Sequence, residues 1–179
     1  MEFGSIIISE TAASSENPQD IINSNISVIN LMREEKIDDD FIHEDALMSY
    51  YLDYYYSNCV EGNFAQFIHN SRWNTELNEL IEEGLALIGA NDHLELFKQQ
   101  CKKVQLMSSV KREKFFKSKL EGVNPIRDLL NNDTFFELEE NLAQLNADFL
   151  KNHPDTQILS VDAMFELLED YLGREIKRA

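Results

Sequence analysis

Apolar residues recur at gaps of three and four along most of the chain, the spacing that gathers side chains on one face of an α-helix. The first stripe, Ile21, Ile22, Ile26, Ile29 and Met32, follows Asn17-Pro18. An N-cap with proline at the first helical position starts a helix there, and the pattern runs out near Lys36. A second helix is predicted from about Glu44 to Asn58. It carries Tyr50, Tyr51, Tyr54, Tyr55 and Tyr56, more tyrosine than one buried stripe holds, so some hydroxyls must meet water or an interface. After a short helix from Phe64 to Ser71, Asn74 caps a third stripe of Leu77, Leu80, Ile81, Leu85 and Ile88, which Gly89 ends. Asp92 opens the next, with Leu94, Phe97, Cys101 and Val104 inward, continuing or re-starting through Phe115, Phe116 and Leu120. Beyond the boundary at Gly122 and Asn124-Pro125, two more helices are expected. One holds Phe135, Leu138, Leu142, Leu145 and Phe149 and stops at Pro154; the other is capped by Ser160 and buries Met164, Phe165, Leu168 and Leu172.

With glycine and proline scarce, this pattern predicts an all-α fold, a single-domain bundle of roughly seven to nine helices over residues 17–179. Residues 1–16 are Ser-, Thr- and Ala-rich and read as a flexible tail, whose Met1-Glu2-Phe3-Gly4-Ser5 start resembles a cloning remnant.

The stretch Asn58 to Ser71 must break the chain between two helices. Glycine, and next best asparagine, reaches positive φ cheaply, so Gly62-Asn63 can end one helix and let the next begin at once. Phe64, Phe67 and Ile68 then share a face, and Gln66 and Asn70 form an i,i+4 amide pair on an adjacent one. Such a pair can serve as a structural hydrogen-bond network or as a ligand site; with no nucleophile and base beside it, the structural role is favoured.

These residues carry a resemblance. A turn followed by Gly62-x-Phe64-x-Gln66-Phe67-x-x-Asn70, then a helix closing in Leu85-x-x-Ile88-Gly89-Ala90, resembles the DMP19-like family, also called DUF4375. The likeness extends over about Asp45 to Tyr171. Where the family pattern reads roughly Glu-Val-x-Asn-Gly-Gly, this chain has Asn58-Cys59-Val60-Glu61-Gly62-Asn63, so asparagine stands in place of the second glycine. The resemblance implies a DNA mimic, a protein that occupies the basic surface of a transcription factor or nucleoid protein.

Charge sharpens that expectation. The chain has 33 Asp and Glu against 16 Lys and Arg, a formal net charge of −17. A field of that sign repels phosphates and anionic membrane surfaces and attracts basic proteins, although the same excess also serves solubility. Direct nucleic-acid and membrane partners are therefore not expected. The acids concentrate on two outer faces. One comprises Glu34, Glu35, Asp38, Asp39, Asp40, Glu44 and Asp45; the other comprises Glu137, Glu140, Asp148, Glu166, Glu169 and Asp170. Either face could present carboxylates to a basic DNA-binding protein, with an acidic scaffold or immunity-type inhibitor as the alternative. Charge inverts only in the Lys- and Arg-rich segment 98–119, which suits neutralisation of the chain's own acids or a second subunit's.

Magnitudes limit the mimic. Duplex DNA shows one charge per roughly 1.7 Å of axis, whereas a helix with a carboxylate at every fourth residue shows one per about 6 Å. Mimicry of a full operator therefore calls for several helices together and for two subunits of a homodimer.

No catalytic, metal or cofactor site is expected. His43, His69, His93 and His153 are scattered without HExxH, Cys-His or Ser-His spacing, and Cys59 and Cys101 form no CxxC. Reduced, buried thiols and the lack of any membrane-length apolar segment fit a cytoplasmic protein.

Overall fold

Asn63 adopts φ 61° and ψ −168° within the otherwise helical run Glu44–Ser71, and Gly62 beside it has φ −151° and ψ 25°. The break therefore lies where the sequence places it, with the two residues in different roles. Asparagine takes the positive φ. Glycine is needed for room, because a Cβ on Gly62 would stand 2.8 Å from Cβ of Gln66.

The computed structural model describes residues 3–178; Met1, Glu2 and Ala179, and with them the first two residues of the suspected remnant, lie outside the described residues. In chain order the elements are β1 (Ile6–Ser9), α1 (Glu10–Ala13), α2 (Pro18–Glu34), α3 (Glu44–Ser71), α4 (Thr75–Leu87), α5 (Asn91–Gln105), α6 (Ser109–Phe116), α7 (Pro125–Leu130), α8 (Leu142–Asn152), β2 (Thr156–Leu159) and α9 (Val161–Leu172). Short 3₁₀ turns occupy Asp39–Phe41 and Asp133–Glu137. The protein is thus a mostly α-helical single domain, and among the described residues its nine α-helices fall at the upper end of the expected count. Its packing divides into two compact units, Met1–Tyr50 with Ala143–Ala179, and Tyr51–Leu142.

The first unit adds one short sheet to the helices and corrects one expectation. Strands β1 and β2 pair in parallel, Ile6 opposite Thr156 through Ser9 opposite Leu159. Ile6, Ile7 and Ile8 are buried on both faces, as the strands of covered parallel sheets are. Removing each from water stabilises the fold by about 1.5–3 kcal/mol, enough to order a segment whose neighbours are polar. Residues 3–16 consequently do not form a flexible tail. Phe3 belongs to the same core, its N–H donating to the Phe41 carbonyl at 2.7 Å and its ring meeting Tyr171 edge-on at 5.1 Å. Around the strands pack Ile21, Ile22, Ile29 and Met32 of α2, with Ala147, Leu150 and Leu168 from the other end of the chain. Asn17 caps α2 as expected, accepting from the Gln19 amide.

The second unit is built on aromatic rings. Tyr55 lies 5.4 Å from Phe67 and 5.1 Å from Phe97, and Phe64 lies 6.0 Å from Phe97, all edge-on or tilted. Gly89, at φ 77°, ends α4 with the Ala90 amide returning to the Leu85 carbonyl. Helix α6 re-starts rather than continues α5, because Ser108 caps it through the Lys111 amide. The single helix expected over Phe135 to Phe149 is broken: Phe135 sits in a 3₁₀ turn capped by Asn132, and α8 begins only at Leu142. Helical spacing of apolar residues does not distinguish one helix from a turn that presents its ring to the same core.

Candidate protein-binding surface

The Asn63 break is held by its own amide. Asn63 Oδ1 accepts from the Phe64 amide at 2.7 Å and from the Asn132 amide at 3.0 Å, while its Nδ2 donates to Asp133 at 3.3 Å. Asn131 Oδ1 accepts from the Ala65 amide at 3.1 Å. The second half of α3 is thereby capped from a segment nearly seventy positions away. The expected Gln66–Asn70 pair is replaced: Asn70 Nδ2 donates to Asn58 Oδ1 at 2.6 Å, and Asn58 in turn donates to the Tyr54 carbonyl. Rings of Phe64 and Phe67 are buried. These bonds and rings shape the second unit.

The acidic residues divide by what they do. Glu35 forms an ion pair with Arg174, and Asp39 takes both Nε and Nη2 of Arg33 at 2.8 and 2.7 Å. Glu140 accepts the amides of Asp92 and His93, capping α5, where Ala90 has no side chain to do so. Glu169 accepts the Ile176 amide, and Asp45 pairs with His153. Exposed carboxylates remain at Glu34, Asp38, Asp40, Glu44, Glu137, Asp148, Glu166 and Asp170.

Within the first unit, the α2 end of one acidic face adjoins the α9 end of the other. The Glu35–Arg174 pair ties the end of α2 to the end of α9, and Phe3 bridges Phe41, next to Asp40, to Tyr171, next to Asp170. Only Glu137 and Glu140 belong to the other unit. Charge follows the same division. Met1–Tyr50 with Ala143–Ala179 has 18 acidic and 6 basic residues, a formal −12, against 15 and 10, a formal −5, for Tyr51–Leu142. In the basic segment Lys98 pairs with Glu82 of α4 at 3.1 Å, while Lys102, Lys111, Lys114, Lys117 and Lys119 are exposed.

One constellation escapes sequence spacing. His43-x-Asp45 and His153-x-Asp155 exchange partners across the first unit, His43 Nε2 lying 3.3 Å from Asp155 and His153 Nε2 2.9 Å from Asp45. Each ring's Nδ1 accepts the amide of the aspartate two residues on, Asp45 or Asp155, at 3.2 Å. The repeated His-x-Asp is the only signal in the sequence, and it is too short to stand alone.

Three further titratable groups, His93, Cys59 and Cys101, are buried. Burial holds His93 below its ordinary value despite the Glu140 carboxylate, and pushes the Cys59 thiol well up and that of Cys101 up to about 12. Both cysteines are reduced and buried, as expected. Among the described residues no helix is long and apolar enough to cross a membrane.

No curated protein and no solved structure matches the chain. The sequence profile of a family described as DMP19-like protein matches residues 40–153. That span covers more than half of the chain and includes the Asn63 break, its aromatic core and the capping segment at Asn131–Asp133, so the protein belongs to the DMP19-like family.

Proposed function

We propose that this protein is an acidic binding module that acts as a DNA mimic, occupying the basic DNA-binding surface of a transcription factor or nucleoid protein in the cytoplasm. The observation that carries this reading is the gathering of a formal −12 on one compact unit, in which the acidic ends of α2 and α9 adjoin. Membership of the DMP19-like family supports it. At one phosphate charge per roughly 1.7 Å, twelve charges stand in for about 20 Å of duplex. A dimeric helix-turn-helix regulator reads half-sites about 34 Å apart, so a full operator requires two copies of the unit. The protein acts by occupancy rather than catalysis.

A second reading, an acidic scaffold or immunity-type inhibitor, draws support from the carboxylates spent internally at Glu35, Asp39 and Asp45, which thin the array. Competition separates the two. Purified protein is mixed with a basic regulator captured from source-cell lysate, in the presence of that regulator's own duplex site and over a series of salt concentrations. A mimic excludes DNA and releases its partner as salt rises. A ternary complex with DNA would eliminate mimicry and favour the scaffold.

A further inference from the structure

We propose that His43, Asp45 and His153, with Asp155 behind them, form a binding site for a divalent transition-metal ion of the zinc class. Ligand atoms of His43, Asp45 and His153 all lie within 4.8 Å of one another. Around a zinc ion with bonds of about 2.0–2.2 Å, tetrahedral ligand atoms stand roughly 3.3 Å apart, so side-chain rotation has only to draw the group together. Two imidazoles and a carboxylate suit zinc, cobalt or nickel; calcium and magnesium require oxygen donors.

Burial favours the site. The histidine side chains are 13% and 11% exposed and Asp45 30%, so the rings are held by packing while one side stays open for an ion to enter. The surrounding formal charge of −12 raises the local concentration of cations. Because each Nδ1 accepts an amide, the neutral rings carry their proton on Nε2, which points to a carboxylate. Coordination through Nε2 moves that proton to Nδ1 and gives up the two amide contacts at 3.2 Å. Asp155 Oδ2 lies 4.0 Å from Nδ1 of His153 and, once released from His43, is placed to accept that ring's relocated proton. A carboxylate behind a ligating histidine is the usual means of fixing the tautomer. The ion would clamp the start of α3 to the end of α8, segments more than a hundred positions apart.

The test is titration of the full chain with zinc by calorimetry and with cobalt by visible absorption. The expected result is one equivalent bound, with tetrahedral cobalt bands. His153→Ala or His43→Ala should weaken binding roughly 100-fold or more, and Asp155→Asn about 10- to 100-fold, while Asp148→Asn, exposed and outside the cluster, should change it less than about twofold. If alanine variants do not fold, the wild-type chain and Asp155→Asn decide. Absence of a one-to-one zinc complex, or binding weakened equally by Asp148→Asn and Asp155→Asn, overturns the site.

Discussion

The side-chain carbonyl of Asn63 accepts the backbone amide of Asn132 at 3.0 Å, and this bond helps fasten a break inside α3 to the loop that precedes a 3₁₀ turn. The φ and ψ of Asn63 fall in a region that is nearly exclusive to glycine, where residues with a Cβ persist only if their surroundings hold them. The three bonds of its amide supply that hold.

Asn63→Ala keeps the strain and removes the bonds, leaving two buried or half-buried amides without an acceptor. Urea unfolding should show a loss of about 2–4 kcal/mol. Asn63→Gly also loses the bonds but relieves the strain, so it should be the milder change. An alanine variant as stable as the parent would remove the capping role.

Phe67 touches Tyr54, Tyr55, Phe64 and Phe97, and it is fully buried. Phe67→Ala should cost about 3–5 kcal/mol of unfolding free energy. Gly62→Ala should cost about 1–3 kcal/mol by forcing its methyl against Gln66, without any positive-φ penalty. If Gly62→Ala is neutral, the helix turns have room that their geometry does not show.

His93 titrates below its ordinary value because burial disfavours its charged form. With a depressed folded pKa, its neutral form contributes stability that is present above the unfolded value of about 6.5 and is lost as pH falls below it. His93→Gln should therefore flatten the fall in melting temperature on acidification from neutral pH. Equal slopes in parent and variant would place the acid sensitivity elsewhere.

Cys101, raised to about 12 by burial and then by the Glu82 carboxylate, and Cys59, raised by burial, carry almost no thiolate at mildly alkaline pH. Neither should react with iodoacetamide in the native protein, and both should react in denaturant, as peptide mass mapping would record. Native-state labelling would show that the second unit opens.

Charge reversal separates the acidic surfaces. Lysine at Glu34, Asp38 and Asp40 should abolish partner capture, whereas lysine at the exposed Glu76, Glu79 and Glu83 of α4, with the same change in net charge, should weaken it only moderately. Equal losses from the two sets would mean that net charge alone, rather than the surface of the first unit, attracts the partner.

Sequence by itself determined the helices whose stripes are long and whose caps are explicit. Asn17-Pro18 before α2, Asn74 before α4 and Ser160 before α9 are local hydrogen-bond chemistry, and the Gly62-Asn63 break and the Gly89 stop are local backbone preferences. It also carried the family, because the motif from Gly62 to Asn70 is contiguous. Only tertiary structure decided what Ile6, Ile7 and Ile8 do, since a four-residue strand has no periodicity to read and its partner lies some 150 positions on. It alone set Asn132 against Asn63, exchanged Gln66 for Asn58 as the partner of Asn70, and crossed the two His-x-Asp pairs. It also spent Glu35, Asp39 and Glu140 inside the fold while leaving Asp38, Asp40 and Asp170 outside. Charge is a property of composition, but which carboxylates reach a partner depends on which cations and amides the fold brings to the others.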